Sequence, residues 1–213
     1  MKVRMKIAII GCGDLGKQIA HYAKRDMQLE VAGYFDDYQE KGALVDGDPV
    51  LGGREAVLEA FANKQFDALA VGIGYRHFDF RAAVFEQFQG KVPFATLIHP
   101  SCTVDSKAVL GEGVVLFPGA IVDVRVVLDD NVLLNIGAVV THDAQVGKHS
   151  FLAPSVSVAA YAQIGQKCNL GTNTTIIDKV ILGDNIQTGG GTVVIDDLPK
   201  KGLYVGNPQR LVR

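Results

Sequence analysis

The sequence predicts two domains of different class: an α/β domain with a small parallel sheet, then a three-faced parallel β-helix of hexapeptide repeats. Two observations carry this. From Val104 to Val194 an apolar anchor recurs every six residues, running through Leu110, Leu116, Val122, Leu134, Val140, Leu152, Leu170 and Leu182 with one departure at Thr188. Two residues before each anchor stands a mostly small or β-branched residue, among them Ala120, Ala138, Ala144, Ser150, Ala162 and Cys168. A fixed internal period marks a solenoid, in which each repeat buries its apolar face only by stacking on its neighbours. Ahead of the repeats, short apolar runs alternate with helical segments, the order expected of a parallel sheet with helices on its faces.

The expected domains are residues 1–99 and 100–213. In the first, Lys6–Ile10 is a strand that runs into the turn Gly11-Cys12-Gly13-Asp14-Leu15-Gly16. A helix follows from Lys17 to about Asp26, with Ile19, Ala20 and Ala23 on one face. Val31–Phe35 is the next strand and ends in Asp36-Asp37. Residues 50–53 lead into a helix over about 54–63. Asp67–Ile73 reads as a continuous apolar strand, Phe80 to about Phe88 as a helix, and Phe94–Ile98 as a last strand before Pro100. In the second domain, extended pairs alternate with turns such as Leu128-Asp-Asp-Asn and Leu182-Gly-Asp-Asn. A period of six holds three side-chain alternations of two, which suits flat faces joined by corners, about five coils in all. A β-sandwich of many short strands does not keep register through so many units. From about Leu198 the pattern stops and a basic, turn-rich tail begins.

The bulk composition narrows the class. The 213 residues are 48% hydrophobic and 21% charged, with a formal net charge of -2. Nothing in that balance favours nucleic acid or a lipid surface. The apolar run Ile7–Ile10 is too short for a signal peptide and no stretch is long enough to span a membrane. Cys12, Cys102 and Cys168 are odd in number and widely spaced, which suits buried thiols in a reducing cytoplasm.

Among the five histidines, His142 is the most informative. It falls two residues after the anchor Val140, outside the inward register, and Asp143 follows it. A carboxylate beside an imidazole can fix its tautomer and make it a better base near neutral pH. Adjacent residues achieve this only where a turn lets both side chains converge; otherwise His142 is a solvated surface histidine. No His–Ser or His–Cys pair points to a covalent nucleophile. His149 suits a second polar site residue or a corner residue. His99, before Pro100, reads as a joint or capping residue, and His21 as a helix residue. No cluster has metal-ligand spacing. Gly11-x-Gly13-x-x-Gly16 stands between a strand and a helix, the setting of a phosphate-cradling turn and equally of a plain tight α/β turn. Asp36 and Asp37 follow at the distance where an acid accepts from a ribose or a base. A complete dinucleotide domain needs more sheet than these residues supply.

Several segments together carry a resemblance: Gly11–Gly16, Phe35-Asp36-Asp37, Leu97-Ile98-His99-Pro100, Asn135 to Asp143, Gly189-Gly190-Gly191 and Gly206-Asn207-Pro208. Across essentially its whole length the chain resembles the nucleotide-sugar acetyltransferases of the hexapeptide-repeat superfamily, of the sialic-acid O-acetyltransferase and bacillosamine-pathway type. The resemblance implies a left-handed coil, a homotrimer, and acetyl-CoA as co-substrate bound between neighbouring β-helices. It implies His142 as catalytic base and Asp143 as its supporting acid. It puts the main-chain contact for the thioester carbonyl near Ala160, and the outer wall of the coenzyme site near Thr172, Asn173 and Gly190. The sugar nucleotide falls on the first domain, near Gly11, Gly13, Asp14, Asp36 and Asp37. Two departures stand out: Phe151 occupies the place of a second histidine found in many relatives, and Leu15 that of a histidine in the glycine loop. Coenzyme A is strongly anionic, so Lys200, Lys201 and Arg210 of the tail are expected at its phosphate end.

The function expected is transfer of acetyl to the 4-amino group of a nucleotide-linked deoxysugar in the cytoplasm, with no metal, no nucleic acid and no membrane insertion. O-acetylation of a sialic acid or another sugar hydroxyl uses the same residues. A protein that only binds or scaffolds nucleotide sugars is the alternative of another class, and it would have no need of His142.

Overall fold

A computed structural model describes residues 4–212 and divides the chain into two compact units, Met1–Leu97 and Ile98–Arg213.

The first unit contains β1 (Lys6–Ile10), α1 (Asp14–Arg25), β2 (Glu30–Phe35), β3 (Leu44–Val45), β4 (Asp48–Gly52), α2 (Val57–Ala62), β5 (Ala68–Val71) and α3 (Phe78–Phe88). The sheet order is β3-β4-β2-β1-β5, parallel except for the β3–β4 pair. The sequence reading missed that hairpin. Leu44–Val45 is too short to show alternation, and its turn through Asp46-Gly47 takes both residues to positive φ. Other bounds differ too: α1 begins at Asp14 and not at Lys17, α3 at Phe78 and not at Phe80, and the helix expected over 54–63 opens with a 3-10 turn at Arg54–Ala56 before α2. The strand expected over residues 67–73 stops at Val71, because Gly72-Ile73-Gly74 turns away to line a cleft. Of the strand expected over 94–98, Phe94 makes a single bridge to Leu69, and only Leu97–Ile98 is extended. The core on one side of the sheet joins Ala8, Ile10, Phe35, Leu69, Val84, Phe85 and Phe94. Gly16 is dictated by close approach: a Cβ there would collide with the Gly11 carbonyl oxygen. The N-terminus of α1 can therefore lie hard against the β1 turn, where Gly11 has φ +95°.

The second unit is a left-handed parallel β-helix of three faces. Each two-residue strand pairs with the strand eighteen residues on. One face runs through Ile121–Val122, Val139–Val140, Ser157–Val158 and Thr175–Ile176. The next runs through Val127–Leu128, Gln145–Val146, Gln163–Ile164 and Ile181–Leu182. The third stacks Leu116 on Leu134, Leu152, Leu170 and Thr188. The anchors point inward and are nearly all fully buried, as are the small residues two positions before them. Thr188, the single polar anchor, is accommodated because its hydroxyl bonds that of Thr174 at 2.8 Å and accepts from the Gly171 amide at 2.9 Å.

The corners obey the same period. From Gly113 to Gly191 every sixth residue is left-handed, with φ between 54° and 74°. Apart from glycine these are Arg, Asn, Asp, His, Ser, Tyr and Lys, and none is β-branched, as sterics require. The tail after Leu198 is more ordered than the sequence suggests: Gly202–Val205 adds in parallel to Ile186–Thr188, and Arg210–Leu211 adds antiparallel to it. Among the described residues no helix is long and apolar enough to cross a membrane.

Replacing Leu134, fully buried between Leu116 and Leu152, with alanine is expected to destabilise the protein by about 2–5 kcal/mol. Ile121 faces outward and is 40% exposed, so Ile121→Ala should cost about 0.5 kcal/mol or less. Thermal melts of the two variants check the difference.

Candidate active site

Residues 141–143 and 159–161 are successive layers of one corner of the β-helix. The left-handed φ of 62° at Asp143 turns its side chain back onto the preceding residue. His142 Nδ1 and Asp143 Oδ2 are 2.9 Å apart, with the two side chains 43% and 20% exposed. The convergence that the sequence left open is therefore present. If the shared hydrogen is on Nδ1, Nε2 is an acceptor open to solvent, the state a general base requires.

Asp143 has a second partner that sequence reasoning missed. Arg125, eighteen residues earlier, donates from Nε to Oδ1 at 2.7 Å and from Nη2 to Oδ2 at 2.8 Å. The Arg125 fork first, and then His142, hold the Asp143 carboxyl at a pKa of about 2. Its ionised form is the one favoured, so the interaction is complete above the ordinary carboxylate range and is lost only as pH falls toward 2. On the other side of His142, the Tyr161 ring meets the imidazole edge-on, centroids 5.4 Å apart at 90°.

The other residues nominated for the acetyl-donor site lie as follows. Ala160 is one layer from His142 in the same column, but its amide donates to Asp178 Oδ1 at 3.2 Å and so is already engaged. Thr172, Asn173 and Gly190 are exposed on a different corner, between the third face and the first. Lys200, Lys201 and Arg210 are exposed on the ordered tail. Phe151 is 5% exposed in the third face and offers no polar group. His149 is a corner residue with φ 63° and 3% exposure, and its Nδ1 lies 3.0 Å from the Asn131 amide nitrogen, eighteen residues back. His99 Nδ1 lies 2.7 Å from Ser101 Oγ, a local turn contact.

In the first unit, Gly11, Gly13, Asp36 and Asp37 line one cleft of about 300 Å³ together with Ile10, Phe35, Tyr38, Arg54, Gly72, Ile73, Gly74, His77 and Phe80. Asp14 opens α1 and stands outside that lining. Both acids are engaged structurally. Asp36 accepts from the Cys12 amide at 3.0 Å, the Cys12 thiol at 3.1 Å and the Tyr38 amide at 3.0 Å. Burial pushes its carboxyl up, but these bonds outweigh burial and lower its pKa. Asp37 accepts from the Arg54 amide at 2.9 Å and from Arg54 Nε at 2.6 Å. Arg54 also lies over the Phe80 ring, 4.6 Å from its centroid, and brings a cation to the cleft. Sequence reasoning missed this second wall; Gly72-x-Gly74, between an apolar strand and a helix, is the signal that could have found it.

Among the described residues no group of three or more His, Cys, Asp or Glu could hold a metal ion. The three thiols are free. Burial first, then Asp36, raises Cys12 to about 11, and burial raises Cys168 to about 12 and pushes Cys102 up as well.

Residues 6–88 match the PglD N-terminal domain family. A search of curated protein sequences gives no match. Among solved structures, the chain is similar to the acetyltransferase domain of PglB from Neisseria gonorrhoeae FA1090, at 27% identity and a TM-score of 0.89, covering 98% of this chain and 100% of that one. The same domain in complex with acetyl coenzyme A matches at 27% identity and a TM-score of 0.88, over 99% and 100% of the two chains. PerB from Caulobacter crescentus, in complex with CoA and GDP-perosamine, matches at 28% identity and a TM-score of 0.88, over 98% and 97%.

Because thiolate is the reactive form, all three cysteines should resist iodoacetamide near neutral pH in the folded protein and react once it is unfolded. Mass spectrometry of the alkylated protein reads the difference.

Proposed function

We propose that this chain, whose likeness to sugar acetyltransferases of the hexapeptide-repeat superfamily spans both of its units, transfers acetyl from acetyl-CoA to an amino group of a nucleotide-linked sugar. The observation that carries the reading is the His142–Asp143 contact at a solvent-open corner. The preference for an amine over a hydroxyl acceptor rests on PerB, a perosamine N-acetyltransferase.

In the proposed mechanism the sugar amine attacks the thioester carbonyl and gives its proton to His142 Nε2, with Asp143 holding Nδ1–H and supporting the imidazolium. Charge develops on the thioester oxygen. The Ala160 amide is the nominated donor to that oxygen, and it serves only after Asp178 gives it up. The tetrahedral intermediate collapses to amide and CoA thiolate, and the imidazolium returns its proton to the thiolate. Thr172, Asn173 and Gly190 are proposed for the coenzyme wall, and Lys200, Lys201 and Arg210 for its phosphate end.

His142 and the proposed wall residues occupy different corners of one β-helix. A homotrimer, in which a corner of one copy meets a neighbour, is therefore the proposed assembly. The cleft of the first unit is the proposed seat of the nucleotide. Its Gly11–Gly16 turn serves the diphosphate, with Asp14 nearby, and Asp36 and Asp37 frame the base and ribose end. The proposed location is the cytoplasm, in keeping with the free thiols.

His142→Ala removes no core contact, so folding and light-scattering mass should be unchanged. Turnover, followed as thiol release from acetyl-CoA with a panel of nucleotide-4-amino sugars, should fall about 10²–10⁴-fold. Near-normal turnover in that variant would refute the assignment. Asp178→Ala frees the Ala160 amide and should lower the KM for acetyl-CoA; a raised KM would instead make Asp178 part of the coenzyme site.

A further inference from the structure

We propose that Arg125 is a positioning residue of the active-site corner, clamping Asp143 so that one carboxylate oxygen is held against His142 Nδ1. The inference rests on the reading of His142 as the base.

The geometry carries it. Arg125 and Asp143 are both left-handed corner residues, with φ of 59° and 62°, stacked in adjacent coils. An aspartate at an open corner has its carboxylate free to rotate into water. The guanidinium fork removes that freedom by engaging both oxygens, at 2.7 and 2.8 Å. Oδ2 is then shared between Arg125 Nη2 and His142 Nδ1, so fixing the carboxylate plane also fixes which oxygen meets the imidazole. Second-layer partners of this kind set ring orientation and tautomer.

Arg125 acts on charge as well. It keeps Asp143 ionised, the first cause of that carboxyl's low pKa, and it brings a cation to a carboxylate that would otherwise act on His142 alone. The groups that bear on this cluster are Asp105 and Tyr161, whose charges act on Arg125, with the Tyr161 ring against His142. Arg125 itself is more than half exposed, so its role is not core packing.

The test uses Arg125→Gln and Arg125→Lys in the full chain. Either exchange leaves a non-glycine residue at the corner and adds no new backbone strain. In Arg125→Gln, kcat should fall about 10–100-fold, the scale on which loss of a second-layer partner acts, with the KM for acetyl-CoA within about twofold. Arg125→Lys keeps the charge and loses the fork, so kcat should fall there too if the two-point contact is what matters. A second readout needs no turnover. In ligand-free protein, ¹⁵N NMR of His142 should show a single neutral tautomer in the parent, and in Arg125→Gln a mixture of the two. Parent-like kcat in Arg125→Gln, or a lower kcat with an unchanged tautomer, overturns the proposal. If the parent shows no acetyl transfer to any amino sugar, the functional reading fails, while the NMR comparison still decides whether Arg125 orders the His142–Asp143 pair.

Discussion

The second unit depends on one constraint: a backbone amide in one coil is satisfied by a carbonyl in another. Strand amides reach forward, as Val139 N–H does to the Val156 carbonyl at 2.8 Å, and corner amides reach back, as Asp143 N–H does to Val124 at 3.1 Å. A buried amide left without a partner is costly, so the chain must keep each residue in step with the one eighteen positions away. The six-residue anchor pattern is the side-chain counterpart of that backbone rule. The left-handed corners are its geometric expression, since a turn this tight between two-residue strands needs one residue at positive φ in every six.

The candidate catalytic group follows directly. His142 lies outside the inward positions, so it is free of the core. Asp143 sits on the corner, where positive φ folds a side chain toward its own neighbour. Stacking then supplies partners that no local motif contains, Arg125 from the coil before and Tyr161 from the coil after. The same stacking takes polar groups out of use elsewhere. His149 sits in an equivalent corner position but is buried against Asn131, and the Ala160 amide is occupied by Asp178.

What was legible in the sequence divides along these lines. The anchors, the turns and the exposed placement of His142 were legible because a period of six repeats many times and each position reinforces the others. Arg125 was not, because its partner stands eighteen residues away and one arginine among turn residues carries no pattern of its own. In the first unit the glycine turn and the acid pair were legible by spacing, whereas their bonds were not. That Asp36 would bind the Cys12 amide and thiol, and Asp37 the side chain of Arg54, follows from how the β1 and β2 ends come together. The β3–β4 hairpin escaped notice because a two-residue strand is shorter than one full alternation.

The eighteen-residue column also governs how such a chain can change in length. Arg125, Asp143 and Tyr161 meet only because each gap holds one full coil. Deleting a single hexad between them would leave every anchor apolar and every corner tolerable, yet would carry the later residues a third of the way round the prism and scatter the cluster over different edges. Length can vary without that loss by whole coils outside Arg125–Tyr161, or by a loop that leaves and rejoins the coil at the same corner. Insertions and deletions among homologues should therefore avoid this stretch, even though its core would accept them.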